Sequence, residues 1–217
     1  MRLYLDTADR AAAEDLLATG LFAGLTTNPT ILQRSGLGVA HAEEIYRWAT
    51  AAGAREVFFQ SWGEDTATLV ERGRQLREIG PAVVVKLVAS RAGSAACAQL
   101  AARGLHTLLT AVYAPEQALV AAAAGATYIA PYLGRLADAG RDGVADVTAM
   151  QEALTATGSS TKILLASIRD VESMVTLARR GVDCFTMSPD VAEALFADEL
   201  TAAAVADFED AVRATSA

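Results

Sequence analysis

Short apolar runs alternate with longer amphipathic segments from one end of the chain to the other. The apolar runs are rich in Val, Ile, Leu and Phe and bounded by Gly, Pro or Asp, the pattern of buried strands, and fall near 2–5, 23–26, 56–60, 82–87, 105–110, 127–131, 162–166 and 182–186. Between them, apolar residues recur at helical spacing over about 9–18, 39–52, 66–79, 92–103, 115–124, 144–157, 170–180 and 190–196, with a last helix near 200–214. Glycine punctuates several helix ends just before the next strand, as in Arg103-Gly104-Leu105, Ala124-Gly125-Ala126 and Arg180-Gly181-Val182, where a left-handed C-cap is expected. Eight β/α units with no low-complexity linker predict an α/β fold, a single (β/α)8 TIM barrel over residues 1–217 with an extra C-terminal helix. An open doubly wound sheet fits less well, because no G-x-G-x-x-G follows the first strand.

A parallel barrel gathers its chemistry at the C-terminal strand ends. Here those ends supply Asp6, the Thr26-Thr27-Asn28-Pro29 run, Gln60 with Ser61, Lys86, Thr110, Tyr132, Ser167, and Thr186 with Ser188. Taken singly, each has an ordinary structural use: Asp6, Thr7 and Ser167 as helix caps, Asn28 as a turn residue before proline. Helix capping does not explain why so many converge on the mouth that holds Lys86.

Lys86 is the residue least at home in its segment. The chain has two lysines, Lys86 and Lys162, against 16 arginines among its 18 basic residues. Lys86 interrupts the β-branched run Pro81-Ala-Val-Val-Val-Lys-Leu-Val-Ala89. A buried ammonium is costly, and burial lowers the amine pKa, leaving a neutral nucleophile toward a carbonyl. A strand lysine also has the plainer options of snorkelling into solvent or pairing with a carboxylate. Lys162 opens strand seven and so belongs to the opposite, stabilising end.

Composition narrows the partners. A net charge of −8 and a pI of about 4.8 argue against nucleic acid and anionic membranes, while a few focused arginines suffice for a phosphate. The apolar stretch from Leu119 to Leu133 is broken by Gly125 and Pro131, so no membrane span is expected. Cys97 and Cys184 both sit in apolar settings and no secretory signal pattern opens the chain, which favours a reduced, cytoplasmic location. His41 and His106 are too few and too far apart for a His-based metal motif.

The segments Leu5-Asp-Thr-Ala8, Gly24-Leu-Thr-Thr-Asn-Pro-Thr30, Val83-Val-Val-Lys86, Ala111-Val-Tyr113, Ala130-Pro-Tyr-Leu-Gly-Arg135 and Ala166-Ser-Ile-Arg169 together resemble the small transaldolase family, which includes fructose-6-phosphate aldolase. The resemblance covers nearly the whole chain. It implies class I chemistry on ketose phosphates without metal or organic cofactor. Lys86 would form a Schiff base with the ketose C2, and Asp6 would act as acid/base. Gln60, Thr110 and Tyr132 would surround a proton-shuttling water. Thr27 and Asn28 would meet substrate, Asn28 at its hydroxyls. Arg135, Ser167 and Arg169 would hold phosphate, aided by the amides opening the seventh of the helices predicted above.

The resemblance leaves the branch open. Gln60, Leu108 and Tyr132 look aldolase-like, where family transaldolases typically carry Glu, Asn and Phe. Leu133-Gly-Arg-Leu136 and Ser167-Ile-Arg169 look transaldolase-like. Val88 replaces a usual proline, and Met187-Ser-Pro189 replaces Met/Leu-Pro-Leu. Cleavage or transfer of a dihydroxyacetone unit, fructose-6-phosphate-aldolase-like, is therefore expected, with transfer to an aldose phosphate as the alternative. A metal- or carboxylate-dependent sugar-phosphate isomerase would not need the strand lysine, and a non-catalytic barrel would not need Lys86 and Asp6 together. The last helix places Leu200, Ala204, Val205, Phe208 and Val212 on or near one face, which predicts a homo-oligomer.

Overall fold

A computed structural model describes residues 1–215. Its eight strands are β1 (Arg2–Asp6), β2 (Phe22–Thr26), β3 (Glu56–Gln60), β4 (Val83–Val88), β5 (Thr107–Val112), β6 (Tyr128–Pro131), β7 (Lys162–Leu165) and β8 (Cys184–Met187). They close in chain order into an all-parallel barrel. The helices that follow β1 to β8 and cover the barrel are, in turn, α1 (Arg10–Ala18), α3 (Ala42–Ala51), α4 (Thr66–Glu78), α5 (Arg91–Ala101), α6 (Glu116–Ala123), α8 (Gly143–Ala156), α9 (Val171–Ala178) and α10 (Pro189–Glu193). The single TIM barrel read from periodicity is therefore the fold.

Three further helices stand outside this repeat. Two are short, α2 (Pro29–Arg34) after β2 and α7 (Leu133–Asp138) after β6, and both sit at the C-terminal mouth. The sequence reading missed both. Asn28 caps α2 and Pro29 occupies its first turn, so the Asn-Pro pair taken for a turn is a helix start. The expected 39–52 helix divides into a 3-10 turn at Val39–His41 and α3. Strand β5 starts two residues later than expected, Leu105 and His106 serving as its lead-in.

The third is α11 (Glu199–Thr215), which has no buried residue. Leu200 is 81% exposed and Phe208 70%. The helix does not fold back across its own barrel.

Strand alternation sorts side chains into two cores. Leu5, Leu25, Val57, Val85, Leu109, Ile129 and Phe185 point outward and pack beneath the helices. Tyr4, Phe58, Val84, Leu108, Tyr128, Leu164 and Cys184 fill the barrel. Tyr4 and Phe58 meet edge-to-face at 5.3 Å between ring centroids, with Tyr128 5.5 Å from Phe58. The two phenols must be satisfied when buried. They bond to Glu56, Tyr4 at 2.5 Å and Tyr128 at 3.0 Å, and Arg2 donates to Tyr128 at 2.6 Å. Lys162 pairs with Asp183 at 2.6 Å at this same N-terminal end, as expected of a lysine that opens a strand. The base is thus plugged and cross-linked, and the opposite end is left open.

Candidate active site

The open end holds a cavity of about 280 Å³. Asp6, Asn28, Lys86, Thr110, Tyr132, Arg135, Ser167 and Arg169 all line it, so most of the residues nominated from sequence meet in one place. Gln60 and Thr27 do not line it. Gln60 is paired in register with Lys86, yet it lines a separate small pocket with Trp62 and Pro29. Thr27 is fully buried and its hydroxyl donates to the Phe58 carbonyl at 2.8 Å. Its contribution is its backbone: the Thr27 carbonyl accepts a 2.6 Å hydrogen bond from Lys86 Nζ. Ser61 donates to the Leu69 carbonyl, and Ser188 caps α10 with Pro189 in its first turn, so both serve local structure.

Lys86 is 5% exposed. The side-chain parity that puts Val84 inside the barrel also puts Lys86 there, one layer nearer the mouth. Burial pushes its amine below the usual lysine range, and the Asp6 carboxylate pulls it partly back. No carboxylate lies within ion-pair distance of it among the described residues, which removes the usual compensation for a buried ammonium. Asp6 is pushed above the usual carboxylate range by burial, against the charge of Lys86, a hydrogen bond from Thr26 and the charge of Arg135. Lys86 and Asp6 thus each shift toward the neutral form, the amine downward and the carboxyl upward, each chiefly through burial.

Asp6 is not a helix cap. Asp9 caps α1, and Thr7 accepts the Asp9 amide at 3.0 Å. Asp6 is held instead by Thr26, whose hydroxyl reaches its Oδ1 at 2.6 Å and is linked in turn to Thr186 at 2.6 Å. On the facing wall, Thr110 and Tyr132 share a 2.7 Å hydroxyl hydrogen bond. A one-residue bulge in β5 lies between Leu109 and Val112, with Ala111 in the left-handed region at φ 57°, and it follows directly on Thr110. Burial raises the Tyr132 phenol, so it stays protonated and able to donate. Tyr113 packs edge-on against its ring at 5.7 Å, and the Arg135 guanidinium lies 5.1 Å from the ring centre.

The Ser167 segment is strained and close-packed. Ser167 has a left-handed backbone at φ 57°, a costly conformation for a non-glycine residue. Gly134 donates to its carbonyl at 2.8 Å, and a Cβ on Gly134 would crowd the Ser167 oxygens and Arg169 Nε. Glycine at that point lets α7 approach β7, which brings Arg135 beside Ser167. Of the helix-end amides, that of Ser173 is taken by Asp170, which caps α9, at 2.7 Å. Arg169 forms a two-point ion pair with Asp138 at 2.8 and 2.5 Å.

Sequence reasoning left Thr26 and Thr186 unassigned and overlooked Thr30, Arg34 and Asp138, all of which line the cavity. The signal for two of them was present. Once Asn28-Pro29 is taken as a helix start, Thr30 and Arg34 stand four residues apart on one face of α2.

The sequence matches the family described as Transaldolase/Fructose-6-phosphate aldolase over residues 3–217. The chain belongs to this family. A relative from Phenylobacterium zucineum named "Probable transaldolase" is 40% identical over 202 residues, covering 93% of this chain and 91% of its own. One of the same name from Leptospira biflexa is 36% identical, covering 96% of each chain, and one from Methanococcus maripaludis is 32% identical, covering 96% of this chain and 95% of its own. Among solved structures, a mandelate oxidase mutant carrying an FMN adduct superposes with a TM-score of 0.59 at 18% identity, over 90% of this chain and 67% of that one. That likeness concerns the barrel alone. Family membership makes the protein an enzyme of the aldolase/transferase type.

Because there are only two lysines, their protonation can be read separately by reductive 13C-methylation and NMR titration. Lys86 is expected to titrate below the usual lysine value and Lys162 above it, the latter held up chiefly by its hydrogen bond to Asp183. Asp6→Asn removes the carboxylate that raises Lys86 and should move it lower still. A Lys86 signal that titrates at or above that of Lys162 would contradict the electrostatic account.

Proposed function

We propose that the protein is a class I Schiff-base enzyme that breaks and forms the C3–C4 bond of ketose phosphates, moving a dihydroxyacetone unit. The observation that carries this reading is a buried amine, biased toward neutrality, in the same cavity as a carboxyl biased toward protonation. Lys86 Nζ attacks the ketone carbon. Asp6 delivers the proton that lets the carbinolamine lose water, leaving a protonated imine. The imine is the electron sink. Loss of the C4 hydroxyl proton breaks the C3–C4 bond, an aldose phosphate departs, and an enamine stays on Lys86. Asn28 meets substrate hydroxyls. Arg135, Ser167 and Arg169 receive the phosphate. Arg169 must exchange Asp138 for that anion, which costs little because the existing pair is solvent-exposed.

The enamine then partitions. Protonation at carbon followed by hydrolysis releases dihydroxyacetone; attack on an aldehyde transfers the unit. The Thr110–Tyr132 hydroxyl pair supports release, because it presents a protonated phenol at the mouth. The arginine-rich rim and the transaldolase relatives support transfer as the second reading. Gln60, expected beside the proton-shuttling water, lines a different pocket, so the relay is assigned to Thr110 and Tyr132.

No helix among the described residues is long and apolar enough to cross a membrane. A cytoplasmic setting is inferred from two buried free cysteines. Homo-oligomerisation is inferred from the uncovered apolar residues Leu200, Val205, Phe208 and Val212 on α11.

Lys86→Ala is expected to abolish ketose cleavage while circular dichroism stays native, since the change removes the nucleophile, adds no charge, and leaves Asp6 with its Thr26 hydrogen bond. A folded variant with retained turnover would sink the assignment. Tyr132→Phe should slow enamine protonation by about 10²–10⁴-fold and raise the ratio of transfer to release; an unchanged ratio would eliminate Tyr132 as the partitioning acid. Light scattering should find the full-length chain oligomeric and a chain ending at Asp198 smaller in assembly number; a monomeric full-length protein would defeat the role given to α11.

A further inference from the structure

Three guanidiniums rim the cavity, and they are not equivalent. Arg169 is already committed to Asp138 by two hydrogen bonds. Arg135 faces the Tyr132 ring and Arg34 closes α2; among the described residues neither has a carboxylate partner. The cavity's charges then nearly cancel except at these two. Asp138 offsets Arg169, and Lys86 and Asp6 lean toward neutrality together. Two guanidiniums without an ion pair remain, Arg135 acting on Asp6 and Asp138 only through space, in a chain whose net charge is −8. Two guanidiniums not held in ion pairs are the donors that a phosphate group takes up.

Topology sets where the two charges stand. Arg34 follows β2 and Arg135 follows β6, strands that lie opposite each other in the eight-stranded barrel, with Lys86 on β4 midway between them. Thr30, one turn before Arg34, also lines the cavity, so a face of α2 and not one stray side chain is turned to the mouth. Arg34 and Arg135 line one and the same cavity, of about 280 Å³, so a group bound there has both on its walls. We propose that Arg34 is a specificity-determining residue that holds the terminal phosphate of the substrate from the α2 side, across the mouth from Arg135. This assignment rests on the sugar-phosphate reading of the site and adds to it a cation that selects phosphorylated over unphosphorylated aldehydes.

The test uses the full-length enzyme and its Arg34→Gln and Arg34→Lys variants. Each is assayed with glyceraldehyde 3-phosphate and with glyceraldehyde as acceptors of the dihydroxyacetone unit, and with inorganic phosphate as inhibitor. Loss of one charge-assisted contact should cut the kcat/KM preference for the phosphorylated acceptor about tenfold to a hundredfold in Arg34→Gln and weaken phosphate inhibition in parallel. Lysine should restore part of both, because it returns the charge without the two-point geometry. An unchanged preference, or equal losses on the two acceptors, would overturn the role of Arg34. Borohydride trapping of dihydroxyacetone, which carries no phosphate, separates the two levels of the argument. A trapped wild-type enzyme with unchanged discrimination in Arg34→Gln defeats the Arg34 assignment alone, whereas an untrapped wild-type enzyme defeats the Schiff-base reading and this inference with it.

Discussion

Desolvation of a single amine is the constraint on which the site depends. Lys86 hangs inside a barrel whose next inner layer is Val84, Phe58 and Leu108, and its nitrogen finds one protein acceptor, the Thr27 carbonyl. A full ammonium there would lack a carboxylate partner. The same burial that disfavours its charge lowers its pKa from the usual lysine value, the direction that favours the neutral, nucleophilic amine the proposed chemistry needs. Thr27 belongs to the segment that continues β2 into Asn28 and α2. The backbone that orients the amine is therefore continuous with the helix that carries Arg34 to the rim.

The two ends of the barrel divide the work. At the base, Tyr4, Phe58 and Tyr128 fill the interior and Glu56, Arg2 and the Lys162–Asp183 pair satisfy the polar groups. Their hydrogen bonds are mutual, so the base can be tightly packed and electrically quiet. At the mouth, polar groups are held from one side only: Asp6 by Thr26, Thr110 by Tyr132, Lys86 by a carbonyl. Each keeps an open valence toward the cavity. Strain concentrates there too, in the left-handed Ala111 and Ser167 at the ends of β5 and β7. A rigid base supporting a less satisfied, locally strained mouth is what a preorganised site requires.

Much of this was legible before any coordinates. Period-two strands alternating with period-3.6 helices specify the barrel, and strand ends specify the mouth, which is how Asp6, Lys86, Thr110, Tyr132 and Ser167 were found together. What escaped was local. The short helices α2 and α7 have six residues each, too few for a periodic signal, and both occupy stretches that read as loops. Missing them hid Arg34 and Asp138. Gln60 shows the limit of register arguments: its backbone pairs with Lys86, but the residue lines a neighbouring pocket and not the main cavity. Thr27 shows another limit, since its role runs through a carbonyl that any residue would supply.

The central claim is that Lys86 becomes covalently joined to a ketose carbon. Borohydride reduction during turnover with fructose 6-phosphate, followed by proteolysis and mass spectrometry, reads this directly, because the chain offers only one other lysine as an internal control. The account predicts an irreversible ketose-derived adduct on the peptide that contains Lys86, none on the peptide that contains Lys162, and none when ketose is omitted. An unmodified Lys86 under turnover conditions, or equal labelling of the two lysines, would contradict it.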